Sequence, residues 1–144
     1  MNRFDFLADR PLATDHLRYG PLWAALGAAL VALVVFGSLS GAPNAGPIAL
    51  NDKLVHLGVY ATLMAWFAQL FRHDLTRLLC GLCFVALGIA MEYLQGLIPT
   101  RQFELADMVA NTSGVLLAWA LSYTRFGNLL AAFERLVGRG VSRA

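Results

Sequence analysis

The chain has 144 residues, of which 58% are apolar and only 14% charged, with a mean hydropathy of +0.61. An ordinary water-soluble domain carries about 25% charged residues, so this composition excludes that class and points to a membrane protein. At 15.6 kDa it is one domain with no room for a separate soluble catalytic module. The net charge of +2 comes from 11 basic and 9 acidic residues without a dense basic run or an RNA-binding motif, which argues against a nucleic-acid partner.

In chain order, residues 1–20 form an N-terminal segment, residues 21–126 a four-span membrane domain, and residues 127–144 a tail. The stretch Tyr19–Asn51 contains no charge, and its core Leu22–Ser40 is long enough to cross about 30 Å of hydrocarbon as a helix. Small residues at Ser40–Ala42 resemble a signal-cleavage site, but the apolar run exceeds a signal h-region, so an uncleaved anchor is expected. The run Gly41-Ala-Pro-Asn-Ala-Gly-Pro47 then breaks the helix. Further spans are expected at Leu54–Phe71, Leu75–Ile98 and Leu105–Phe126, joined by short polar connectors. The predicted fold class is therefore an all-α integral membrane four-helix bundle. Asn128–Val137 places Leu129, Leu130, Phe133, Leu136 and Val137 at helical spacing beside Arg135 and Arg139, which reads as an amphipathic interfacial helix or a frayed tail.

Basic flanks set the orientation, because they are retained in the cytoplasm. Alternating spans put Arg3, Arg10, Arg18, Arg72, Arg77, Arg125, Arg135, Arg139 and Arg143 on one side, and only Lys53 and Arg101 on the other. Both termini are therefore expected inside.

The polar residues that interrupt the spans hold the functional information. Lys53, His56 and Tyr60 recur at i, i+3 and i+7 on one stripe of the second span. Glu92 and Gln95 share a face of the third with Gly88, about 9 Å from the helix end at Ile98. Asp107, Asn111, Gly114 and Ala118 line a stripe of the fourth. Alternating chain direction puts all three stripes at the outer level. An ionised group at a lipid-facing helix centre costs about 2.5–3.5 kcal/mol on insertion scales, so the stripes are expected to face one another around an outward-opening polar pocket. The small residues let the backbones approach.

Buried polar groups in membrane bundles also serve only to fasten helices, a reading that accounts for Gln95 and Asn111. It accounts less well for two carboxylates, an imidazole and two cations at one depth, where neutral amides would fasten without the desolvation cost. Lys53 and Arg101 stand at the expected mouth, where they could meet anionic groups; the planar guanidinium of Arg101 suits bidentate binding. His56, Glu92 and Asp107 are the candidate acid/base residues. Their spacing matches no metalloprotease motif, and neither a metal nor a cofactor is expected. Cys80-Gly-Leu-Cys83 has a redox-motif spacing but sits in an apolar helix, and reads as two small apolar residues. The sequon Asn111-Thr-Ser113 falls inside a span, out of reach of a transferase. His16 and His73 lie in polar flanks and are expected to be solvated.

Together, Asn51-Asp-Lys-Leu-Val-His-Leu-Gly-Val-Tyr60, Glu92-Tyr-Leu-Gln95, Arg101 and Asp107-Met-Val-Ala-Asn-Thr-Ser-Gly114 make the chain resemble the VanZ-like membrane protein family. The likeness covers about residues 50–120 and rests on the ordered set D-K-x-x-H-x-x-x-Y, E-x-x-Q, R, D-x-x-x-N-x-x-G. Glu104 stands where such proteins often have a small or acidic residue, and the sequence assigns it no role. The resemblance implies a multi-pass protein of the bacterial cytoplasmic membrane, whose namesake is associated with low-level resistance to the lipidated glycopeptide teicoplanin. It also brings Asp52 and Gly114 into the candidate ligand-binding set. The expected partners are membrane lipids or a lipid-linked envelope precursor. The rival expectations are an intramembrane acid/base enzyme acting on a lipid headgroup, with Glu92 exchanging the proton while Asp107 orients His56, and a structural subunit with a helix-fastening cluster.

Overall fold

The computed structural model describes residue 14 and residues 16–40 and 49–141. The turn-forming run 41–47, the first thirteen residues with Arg3 and Arg10, and Arg143 lie outside the described residues. Everything described is helix or connecting turn. The helices are α1 (Gly20–Leu39), α2 (Ala49–Leu70), α3 (Asp74–Gln95), α4 (Leu105–Leu121) and α5 (Leu129–Val141), with one 3-10 turn at Arg125–Asn128. The all-helical expectation holds. Among the described residues two helices, α1 and α3, are by themselves long and apolar enough to cross a membrane, and α4 makes a third only when taken together with the bent segment that follows it.

Boundaries differ from the sequence reading where polar groups find partners. α2 begins at Ala49, so Asp52 and Lys53 lie within its first turns instead of ahead of it. α4 stops at Leu121, five residues early. There the Ser122 hydroxyl donates to the Trp119 carbonyl at 2.6 Å and Thr124 Oγ1 to Leu121 at 2.6 Å, satisfying carbonyls that the helix end leaves open. The chain then folds back so tightly that a Cβ on Gly127 would lie 2.0 Å from the Ser122 carbonyl oxygen, a place only glycine can take. This turn sends the C-terminal helix off at 79° to α4.

α2 is the central element and packs on α1, α3 and most closely on α4. Closeness comes from Gly114: a Cβ there would stand 2.2 Å from the Leu57 carbonyl oxygen. Tyr60, Leu63, Met64 and Ala68 of α2, Phe84 of α3, and Val115 and Ala118 of α4 make the core. A smaller cluster, Leu17, Leu70 and Ala131 with Trp23, Trp66 and Phe71, closes the arginine-bearing end. Outward faces are aliphatic and aromatic, with Leu33, Phe36, Leu54, Val55, Leu82, Val109 and Leu116 all exposed, while Glu92, Gln95, Asp107 and Asn111 are buried. That inversion of the water-soluble pattern suits a hydrocarbon solvent.

At the arginine-bearing end α5 is clasped to the start of α1. Glu134 accepts from the backbone N–H groups of Arg18 at 2.7 Å and Tyr19 at 2.9 Å, and from the Trp23 indole at 2.7 Å. A carboxylate from 111 to 116 residues away thereby supplies the cap that Tyr19 does not provide. His16 is not a solvated flank residue: its Nε2 lies 2.9 Å from the Gln69 carbonyl oxygen, and Gln69 in turn accepts from the Leu130 N–H at 2.7 Å. Arg77 Nε donates to the carbonyls of Ala68 and Phe71 at 3.1 and 2.8 Å, closing the C-terminus of α2.

Candidate functional site

At the opposite end, the start of α2, the end of α3 and the start of α4 meet, and the three polar stripes form one connected cluster. Lys53 at the rim of α2 pairs with Glu104 at 2.5 Å and with Asp107 Oδ1. Asp107 turns its other oxygen, Oδ2, to His56 Nε2 at 3.5 Å, and Asp52, one turn before the histidine on α2, brings Oδ1 to 3.9 Å from the same nitrogen. His56 Nδ1 faces Asn111 Oδ1 at 3.1 Å. From α3, Glu92 Oε1 accepts the Glu104 backbone N–H at 2.6 Å. Gln95 Nε2 donates to the Ser38 carbonyl at 3.0 Å, tying the end of α1 to the same level.

Local structure explains the convergence. Asp52 and His56 stand at i and i+4 on α2, as Asp107 and Asn111 do on α4, so each pair occupies one face. Gly88 of α3 makes room, since a Cβ there would meet Asn111 Cβ at 3.0 Å and the Tyr60 ring at 3.2 Å. Glu104 is the N-cap position of α4 with extended backbone. Its N–H donates to Glu92 Oε1, which thereby lies at the N-terminal end of α4.

Of the residues singled out from sequence, Asp52, Lys53, His56, Asp107 and Asn111 are joined by direct polar contacts. Glu92, 1% exposed, is linked to them through Glu104. Tyr60 is buried against Gly88, and its hydroxyl and Glu92 Oε2 are sealed from solvent with no hydrogen-bond partner among the described residues. Arg101 is half-buried on the turn between α3 and α4, where its N–H donates to the Ile98 carbonyl at 2.9 Å. Gly114 forms the helix contact and no part of the polar surface. Lys53 departs from the sequence reading: its ammonium is turned into the cluster and shared by two carboxylates, instead of offered at a mouth. Glu104 is the residue sequence reasoning missed; its three-residue offset from Asp107 at the start of a helix was the available signal.

Four carboxyl groups, Asp52, Glu92, Glu104 and Asp107, thus gather with Lys53 and His56 at this end.

No family model matches the chain, and no solved structure does. An uncharacterized protein of the fission yeast Schizosaccharomyces pombe is 33% identical to it over 98 residues, which are 66% of this chain and 60% of the yeast protein. The matched region thus spans less than two thirds of that relative's length.

Proposed function

We propose that the protein is a VanZ-like, four-span membrane protein of the bacterial cytoplasmic membrane, with both termini in the cytoplasm and the polar cluster at the outer headgroup level, where it binds a phosphate-bearing envelope lipid or lipid-linked precursor. One observation carries this reading: three helices whose outward faces are aliphatic bring Asp52, Lys53, His56, Glu92 and Asp107 together in a single cluster at one end of the bundle. A helix-fastening role needs hydrogen bonds only, whereas the cluster leaves Glu92 Oε2 and the Tyr60 hydroxyl unpartnered at a cost of about 1–3 kcal/mol each. Arg101, whose planar guanidinium can bind a phosphate bidentately, is the residue assigned to the anionic headgroup. The namesake association of the family with teicoplanin makes peptidoglycan precursors the first precursor class to try, and glycopeptide susceptibility the first phenotype.

Native mass spectrometry of the purified protein offered equal amounts of phosphatidylglycerol, phosphatidylcholine and undecaprenyl phosphate checks this. An anionic lipid is retained in preference to phosphatidylcholine, and Arg101→Ala lowers its retention about tenfold with an unchanged melting temperature. The two anionic lipids distinguish a general headgroup site from a precursor site. Equal retention of all three, or indifference to Arg101→Ala, removes the reading.

The unpartnered Glu92 oxygen favours one second reading, an intramembrane acid/base enzyme in which Glu92 exchanges a proton with a lipid headgroup and His56, held by Asn111, is the partner base. The described structure puts no serine or cysteine nucleophile in the cluster, so attack falls to water or a substrate hydroxyl. Glu92→Gln keeps the acceptor for the Glu104 N–H, and should abolish lipid turnover while retaining lipid; turnover by that variant eliminates the reading.

A further inference from the structure

His56 is held in a way that neither lipid binding nor helix fastening requires. Its Nδ1 faces Asn111 Oδ1 at 3.1 Å, and a carboxamide oxygen only accepts, so the ring proton resides on Nδ1. In the neutral ring the lone pair of Nε2 is presented to Asp107 Oδ2 at 3.5 Å and Asp52 Oδ1 at 3.9 Å. These separations are too long for good N–H···O bonds, which run about 2.7–3.2 Å. The 3.5 Å separation is close to that of two ligands sharing one ion, since ligands bound at 2.0–2.1 Å with a tetrahedral angle between them lie about 3.4 Å apart, and the 3.9 Å one is a few tenths of an ångström wider. All three donor atoms fall within 4.8 Å of one another.

We propose that Asp52, His56 and Asp107 form a binding site for a divalent transition-metal ion, Zn²⁺ or Mn²⁺, at the polar end of the bundle. Donor chemistry selects that class, because one imidazole with two carboxylates is a mixed nitrogen and oxygen set without thiolate. Asn111 is the partner that orients the histidine, as a carbonyl oxygen commonly does for a metal-bound imidazole. Lys53 takes Asp107 Oδ1 and leaves Oδ2 for the ion. Independently of the three donors, the sealed and unpartnered Glu92 Oε2 belongs to the same cluster, joined to it through Glu104 and within electrostatic reach of Asp107 and His56. The proposal stands apart from lipid binding and survives its failure.

The test uses the full chain, purified in detergent, stripped with chelator, incubated with Zn²⁺ or Mn²⁺ and passed over a sizing column. One ion per chain by elemental analysis, and a Mn²⁺ resonance distinct from the hydrated ion, are expected. His56→Ala and Asp52→Asn each weaken binding at least tenfold. A double variant with Cys80→Ser and Cys83→Ser keeps it, which excludes the thiols as the site. Asp52 is half-buried and its asparagine is isosteric, so this variant decides the matter even where His56→Ala does not fold. Absence of a retained ion in the native protein, or equal retention by Asp52→Asn, identifies an adventitious ion only and overturns the assignment.

Discussion

Individual residues in this protein are constrained most where the backbones of α2 and α4 touch. A Cβ on Gly114 would meet two backbone atoms, the Leu57 carbonyl oxygen at 2.2 Å and the Ala61 nitrogen at 3.0 Å. Main-chain atoms in a packed helix cannot swing aside, so Gly114→Ala must push the helices apart and loosen the bond between His56 and Asn111 one turn away. A loss of about 1–3 kcal/mol is expected in denaturant titration in micelles. Gly58 has open space around its Cβ position, and Gly58→Ala should leave stability unchanged or raise it by up to about 1 kcal/mol through helix propensity. Equal effects at the two positions would remove the close-packing account. The same scale shows what the sequence discloses. Glu92, Asp107 and Asn111 are readable because a polar group in an apolar helix must be compensated, and spacing alone gives its face. The partner of Lys53 is not readable. Glu104 looks like an ordinary loop acid, and its contact with Lys53 closes a separation of 51 residues that local spacing does not encode.

Among the elements, α5 illustrates the limit of periodicity. Its amphipathic pattern marks a helix, and Leu129, Phe133, Leu136 and Val137 indeed lie exposed along it. What fixes it in place, Glu134 at the start of α1, has no periodic signature. Burial raises the pKa of this carboxyl, but the bonds from the Trp23 indole and the Tyr19 and Arg18 N–H groups outweigh it and hold the value below its ordinary 4.5. A group whose folded pKa is depressed stabilises the fold fully above its unfolded value and loses that contribution as the pH falls through the folded one. The clasp should therefore be intact above pH 4.5 and release only below it. Glu134→Ala should lose the clasp at every pH, for about 1–2 kcal/mol given its partial exposure, and hydrogen exchange should speed at Arg18, Tyr19 and along α5 while Glu92 and its neighbours stay protected. Unchanged exchange at Arg18 and Tyr19 would show that the capping bonds do not hold α5.

For the molecule as a whole, the two ends differ in chemistry. One carries Arg18, Arg72, Arg77, Arg125 and Arg135 around the Glu134 clasp; the other gathers carboxylates, and its basic residues are Lys53 and Arg101. The arginine-bearing end belongs in the cytoplasm if basic retention governs insertion, and α5, turned 79° from α4, then lies along the inner leaflet. Phe103 and Phe126 are exposed, stand at opposite ends of α4, and suit a direct topology measurement. In a background with Cys80→Ser and Cys83→Ser, Phe103→Cys should react with a membrane-impermeant maleimide on intact cells, and Phe126→Cys only after permeabilisation. The reverse pattern would place the acidic cluster in the cytoplasm, where its lipid partner would be an inner-leaflet phospholipid instead of an envelope precursor. Labelling of both on intact cells would mean that α4 does not traverse the bilayer. The outcome follows from a competition of magnitudes: juxtamembrane arginines near an anionic leaflet contribute about 1 kcal/mol each, and five against two leaves a bias that the acidic residues hardly offset, because carboxylates count little in topology.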